Sequence, residues 1–361
     1  MEPSPEDDDL PSPEPTSPLV PAAFIVFFVS MGMLLYAASA RSSAWFQVGS
    51  VLGLGSLVLS FIATVASSSG GFGGLFMGAL VAGMQAVITL PLIAWAGLMS
   101  TPASPKGRLL RLRGRARLAR LSFGGGWRPR PNEAPQPKLP DSLAERVVAA
   151  EVWHLAARAE HASVPAFSKL SLQLIALGAP SELVEGAHRA ALQEIDHARR
   201  CFALAQGYGG LPWDPGALPE LADSLAAPPR RPDLVGLARG SLRDGCVGEG
   251  VAAAMAQALA QGAEDPVIAE TLSGIAADEA EHAELSWAVV AWCLKAGGGP
   301  VREALLEEAK TLDDHRAAAL PKEAPLSPAR ARALGLPDPA LADTLSKAGV
   351  ANVRSRLTAM L

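Results

Sequence analysis

The chain reads as an all-α protein with a three-helix transmembrane module at its N-terminus and a four-helix bundle behind it. Three observations lead there. The first 100 residues hold three long apolar runs, and residues 141–296 hold four Ala- and Leu-rich stretches with helical periodicity. The second half also repeats one acidic pattern: Glu160, then Glu194 with His197, then Glu249, then Glu279 with His282.

An acidic tail, 1–18, comes first and is expected to be disordered. It carries Glu2, Glu6, Asp7, Asp8 and Asp9 and no Lys or Arg, so it lacks the basic start of a signal peptide. The runs 19–40, 44–65 and 72–98 within 19–100 are each long enough for a hydrocarbon core of roughly 30 Å. Gly49 with Gly53 and Gly74 with Gly78 have the GxxxG spacing of close helix packing, although small residues are also simply common in such spans. Gln85 and Pro91 mark a polar contact and a kink in the third run, and no span carries a central ionisable residue that would suggest a transport path.

A basic juxtamembrane linker, 101–140, follows with Lys106, Arg108, Arg111, Arg113, Arg115, Arg117, Arg120, Arg128 and Arg130. Together with Arg41 in the first loop, it predicts the N-terminus outside and the helical half in the cytoplasm of a bacterial inner membrane. Leu109, Leu110, Leu112, Leu118 and Leu121 interleave the charges, which suits an amphipathic segment lying on anionic lipid. Nucleic-acid binding is the rival reading of such a run, and its place beside a span favours lipid. The net charge of −5 conceals this patch.

The four bundle helices are expected at 141–177, 181–206, 233–261 and 266–296, within a domain spanning 141–297. Ser181, Asp233 and Asp265 are candidate N-caps, Pro266 suits a first helical position, and Gly178 and Gly207 mark stops. The Pro- and Gly-rich stretch 207–232 is long enough to travel the length of the bundle as a crossover. An extension, 298–361, adds helices at 301–319 and 340–361 of unassigned role.

A Glu and a His three residues apart lie on one helical face, so each Glu-x-x-His helix offers a carboxylate and an imidazole in one direction. The two lone glutamates complete a hard anionic shell suited to two divalent iron or manganese ions, whose charge four carboxylates balance. Glu160 and Glu194 stand roughly 17 and 13 residues from the intervening turn, and Glu249 and Glu279 about 13 and 15 from theirs, so all four reach similar heights. Two further copies of the spacing, Glu151 with His154 and Glu185 with His188, stand nine residues before Glu160 and Glu194. Nine steps of about 100° turn them to the opposite face, and they are expected at solvent or an interface. A metal-bound imidazole donates its other N–H to an oxygen. Asp278, before Glu279, is placed to serve His197, and Gln193, before Glu194, to serve His282. Pro165, five residues after Glu160, should bend or widen the first helix.

Ala-Glu-His-Ala-Ser-Val at 159–164, Glu-Ile-Asp-His-Ala-Arg at 194–199, Gly-Glu-Gly at 248–250 and Ala-Asp-Glu-Ala-Glu-His-Ala-Glu at 277–284 resemble the ferritin-like superfamily. One long crossover between two short-turn hairpins is the topology of such folds. The resemblance implies that Glu160, Glu194, His197, Glu249, Glu279 and His282 hold two Fe ions, or alternatively Mn or a mixed Fe/Mn pair. It implies an oxidoreductase acting on O₂ or peroxide, supplied by a separate electron donor and compatible with a homo-oligomer. The alternatives are iron handling, such as ferroxidase activity, and a non-catalytic interaction protein that kept the fold. Cys201, Cys246 and Cys293 lack the Cys-x-x-Cys spacing of the extra iron domain in rubrerythrins. Tyr36 and Tyr208 are the only tyrosines, and neither is close in sequence to a ligand, as a stable radical would require.

Overall fold

In a computed structural model of the chain, the described residues are 29 and 107–361, excepting 113–114, 124–125, 128–133, 210–212, 227–230, 315–316, 318 and 321–325. Apart from residue 29, the acidic tail, the three apolar runs and their GxxxG pairs lie outside them. Among the described residues, no helix is long and apolar enough to cross a membrane. The expected all-α character holds: the protein is mostly helical.

Helix α1, Leu143–Ala176, begins at Ser142, whose hydroxyl accepts from the Glu145 N–H at 3.4 Å. It remains one α-helix across Pro165, with no π-type widening there. A short turn leads into α2, Ser181–Gly207, which packs along α1. Ser181 is the first helical residue rather than the cap, and no side chain caps this end.

The crossover contains a strand, Trp213–Pro215, and the short helix α3, Pro219–Ala226. The expected third helix is composite: α4, Leu234–Gly240, then a π-helical stretch, Ser241–Val247, then α5, Gly248–Gly262. Asp233 caps α4 through the Gly236 N–H. Asp265 caps α6, Pro266–Lys310, through the Val267 N–H, with Pro266 in its first turn. This helix passes the expected end near 297 through a kink at Gly298, whose φ of 57° favours glycine. The helix expected over 301–319 therefore continues α6 and ends at Lys310. The C-terminal helices are α7, Pro328–Ala333, and α8, Pro339–Met360.

α1 pairs with α2 and α5 with α6, and α2 also lies against α6. Phe167, Leu170, Leu174, Leu242, Val289, Val290 and Leu305 fill the interior at one end of this arrangement. Burying each side chain of this size is worth about 1.5–3 kcal/mol. The extension closes that core with Val350, Val353 and Leu357. It is fastened by Arg356, which pairs with Glu284 and lies 4.6 Å over the Trp287 ring.

The basic segment departs from its expected place on lipid. Leu109, Leu110 and Ala119 are buried, and the Leu110 N–H donates to the Ala162 carbonyl of α1 at 2.9 Å. Strands β1, Arg111–Leu112, and β2, Arg115–Ala116, form a tight antiparallel pair. β3, Leu121–Phe123, pairs with the crossover strand β4, Trp213–Pro215, in the register Ser122↔Asp214. These residues are a covering layer on the helices rather than a linker. Their leucines found a protein surface to cover, where the charge pattern alone suggested lipid.

Candidate metal centre

Four helical segments aim one acidic side chain each at a common point: α1 Glu160, α2 Glu194, α5 Glu249 and α6 Glu279. His197 and His282, one turn beyond Glu194 and Glu279, join them. All six expected residues meet, and all are buried, Glu194 and Glu249 with no exposed surface.

The donor atoms fall into two overlapping groups. Glu160, Glu194, His197 and Glu279 form one, and Glu194, Glu249, Glu279 and His282 the other, each with ligand atoms within 4.8 Å of one another. Glu194 and Glu279 belong to both. His197 Nδ1 stands 3.7 Å from Glu194 Oε2 and 4.0 Å from both Glu160 Oε2 and Glu279 Oε1. His282 Nδ1 stands 3.4 Å from Glu194 Oε1 and 3.7 Å from Glu279 Oε2.

The outer ring nitrogens explain this orientation. His197 Nε2 is 2.9 Å from Asp278 Oδ2, and His282 Nε2 is 3.0 Å from Gln193 Oε1. The Gln193 amide nitrogen donates to Asp278 Oδ1 at 2.8 Å and to Glu281 Oε2 at 3.3 Å, which leaves its oxygen to accept from His282. Both rings thus carry a proton on Nε2 and turn Nδ1 toward the carboxylates. One continuous chain runs His197, Asp278, Gln193, His282.

Inside, the pairing is incomplete. Both oxygens of Glu194, one each of Glu249 and Glu279, and Nδ1 of both histidines are buried without a hydrogen-bond partner among the described residues. Such groups are costly to bury unmet. A cation satisfies them together, so the donor set fits a metal, and this cluster can hold one.

The charges tell the same story. Burial, with Glu194 and Glu279 alongside, holds the Glu160 carboxyl well above the usual carboxylate range. Burial and Glu279 do the same to Glu249, against the opposing Arg108. Burial would raise Glu194 also, yet His197 and His282 outweigh it and bring it down to about 2. Desolvation opposes charging the imidazoles, but Asp278 and Glu194 raise His197 well above its ordinary value. Glu194 and Glu279 raise His282 to about 9. Without a cation the cluster therefore retains protons at neutral pH, which metal binding would release.

Arg108 was not foreseen here. Its backbone N–H donates to Glu249 Oε1 at 2.8 Å, and its side chain is buried with Nη2 3.1 Å from Ser286 Oγ. The turn requires Gly107, at φ 64°, because a Cβ there would sit 2.6 Å from Glu249 Oε2. A glycine directly before the arginine was the available signal, but nothing local linked it to a residue 141 positions away. No sequence motif marks Phe167 or Trp127 either. The Phe167 ring lies 5.0 Å from that of His282, and Trp127 meets His161 edge-on at 4.6 Å. Burial lowers the His161 pKa to about 4.

Of the two extra pairs, Glu185 and His188 are exposed, as expected. Glu151 is half-buried and His154 buried, its ring centroid 6.3 Å from that of Phe202, so of solvent and interface the second describes this pair. The covering segment conceals that face of α1, and the Arg158 Nε on it donates to the Ala119 carbonyl at 2.7 Å. Tyr208 lies at the end of α2, with Asp265 and Arg330 as its charged neighbours. No family model, curated protein or solved structure matches the chain.

Proposed function

We propose that the protein is a membrane-tethered oxidoreductase with a carboxylate-bridged pair of iron ions, or manganese or one of each, acting on O₂ or peroxide. The observation that carries this reading is the pair of overlapping donor groups sharing Glu194 and Glu279. A single-ion site needs no such sharing. Oxygen-rich donors with one imidazole per position suit iron and manganese, and no thiol enters either group. When bound, such a pair supplies the redox and Lewis-acid chemistry that reduces dioxygen or peroxide.

The chain's own residues divide the remaining work. Glu194 and Glu279 would contribute to both positions, and Glu160 and Glu249 to one each. Asp278 and Gln193 hold the imidazole protons on Nε2 and keep Nδ1 available. Phe167 and the covering segment exclude water. The ferritin-like resemblance of the four ligand motifs supports the same assignment. Membrane attachment, with the helical half in the cytoplasm of a bacterial inner membrane, rests on the apolar runs at 19–40, 44–65 and 72–98 and the basic residues after them. A separate protein would donate the electrons.

The test is metal analysis of the purified full-length protein, followed by ferrous loading without oxygen and exposure to O₂ or peroxide. Two metal ions per chain and catalytic consumption of the oxidant with an added reductant are expected. A folded protein that takes up no metal would overturn the assignment. Uptake that ends after one oxidation per ion pair would mark iron handling instead.

A further inference from the structure

The two donor groups share both bridging carboxylates, so their differences reside in what stands behind the remaining ligands. Behind the Glu160–His197 position is the carboxylate of Asp278, 2.9 Å from His197 Nε2. An anionic acceptor strengthens an imidazole as a metal donor. Behind the Glu249–His282 position is the neutral amide of Gln193.

Arg108 widens this difference. Its backbone N–H takes one oxygen of Glu249, leaving that carboxylate one uncommitted oxygen. Its guanidinium lies 5.5 Å from the centre of the Phe167 ring, which in turn packs on His282. Arg108 Nη2 reaches Ser286 Oγ, and that hydroxyl donates to the His282 carbonyl at 2.9 Å. Arg108 thus contacts Glu249 directly and reaches His282 through intermediaries. Among the described residues its guanidinium has no carboxylate within ion-pairing distance, and its Nε has no hydrogen-bond partner. Gly245 lets it in, since a Cβ there would be 2.5 Å from Nη2. A buried cation with no carboxylate in contact repels a second cation nearby.

Building on the metal-centre reading, we infer that the two positions are unequal: the Glu160–His197 position binds a divalent cation first, and Arg108 weakens the Glu249–His282 position. Arg108 is a positioning residue whose charge sets the gap in affinity. An unequal pair permits a half-loaded state with one vacant position next to a filled one.

Anaerobic titration of metal-free, full-length protein with cobalt(II), followed by visible absorption, tests this. Two separated steps are expected. Glu160→Ala should abolish the tighter one and Glu249→Ala the weaker, which assigns each. Arg108→Gln keeps the backbone N–H to Glu249 and removes only the charge; it should tighten the second step about tenfold and leave the first unchanged. Arg108→Lys should restore the gap, and Asp278→Asn should weaken the first step about tenfold. A single step or two equal affinities in the unmodified protein would overturn the inference. So would a Gln variant with an unchanged second step, or a Lys variant behaving like Gln. If the Gln variant does not fold, the two ligand variants alone still decide whether the positions are unequal. Absence of any cobalt binding would instead remove the metal centre itself.

Discussion

Glu194–His197 on α2 and Glu151–His154 on α1 share a spacing, a helical setting and a buried histidine, yet only the first belongs to a donor cluster. His197 Nδ1 lies among three carboxylates, and Asp278 fixes the other side of its ring. His154 Nδ1 has Glu151 Oε1 at 4.0 Å, the charged group acting on that carboxylate is Arg158, and Phe202 is the ring beside His154. Burial raises the Glu151 pKa to about 7, with Arg158 opposing. The i, i+3 spacing only puts two side chains on one face. Whether that face becomes a site depends on what three other helices bring to it.

Removing a shared carboxylate should produce the largest effect. Glu194→Ala deletes a donor from both groups, so metal content should fall from two ions per chain to none, by elemental analysis, whereas Glu151→Ala should retain both. Equal loss from the two variants would erase the distinction. Because metal binds the folded state, loading should also raise the melting temperature of the unmodified protein and leave that of Glu194→Ala unmoved.

Glu151 provides the next contrast. Its carboxyl is raised from 4.5 to about 7 on folding, so the folded state favours the protonated form. Its contribution is complete below pH 4.5 and disappears as pH rises through about 7. Glu151→Gln should therefore gain stability relative to the unmodified protein above pH 7, on the order of 3 kcal/mol, with the difference shrinking toward pH 5. Chemical denaturation at several pH values measures it, and a pH-independent difference would show that the carboxyl is not raised.

The smallest effect belongs to the exposed pair. Glu185→Ala and His188→Ala should each change stability by no more than about 0.5 kcal/mol and leave metal content intact. A loss of metal from either would place α2 in the wrong rotation.

The ligands were legible because they obey local rules: i, i+3 spacing on two helices, and similar distances from two short turns on all four. Asp278 and Gln193 followed from the same periodicity, each one residue before a ligand. What could not be read is non-local. Arg108 meets Glu249 across 141 positions, and its neighbours 109–121 look as amphipathic to a bilayer as they do to α1. Periodicity gives the face of Glu151 only as outside the site, at solvent or an interface, and the segment that covers it comes from before the bundle. Pro165 sits within a continuous helix. The widened backbone occurs instead at 241–247, where Ser-Leu-Arg-Asp-Gly-Cys-Val gives no local sign of it.

That stretch ties the length of the chain to the aim of one side chain. A π-turn fits one residue more than an α-turn into the same rotation, so 241–247 absorbs an extra residue and leaves α5 in the phase it would have without that residue. Wound as regular α-helix with no residue removed, the same sequence would turn Glu249 by about 100° relative to Leu237 and Ala238 and point it away from its three partner carboxylates. Deleting one residue from 241–247 would instead let α4 and α5 merge into one regular helix with Glu249 still on its face. Aligned against a relative without the extra residue, the chain would show one gap there and a fully retained set of ligand letters.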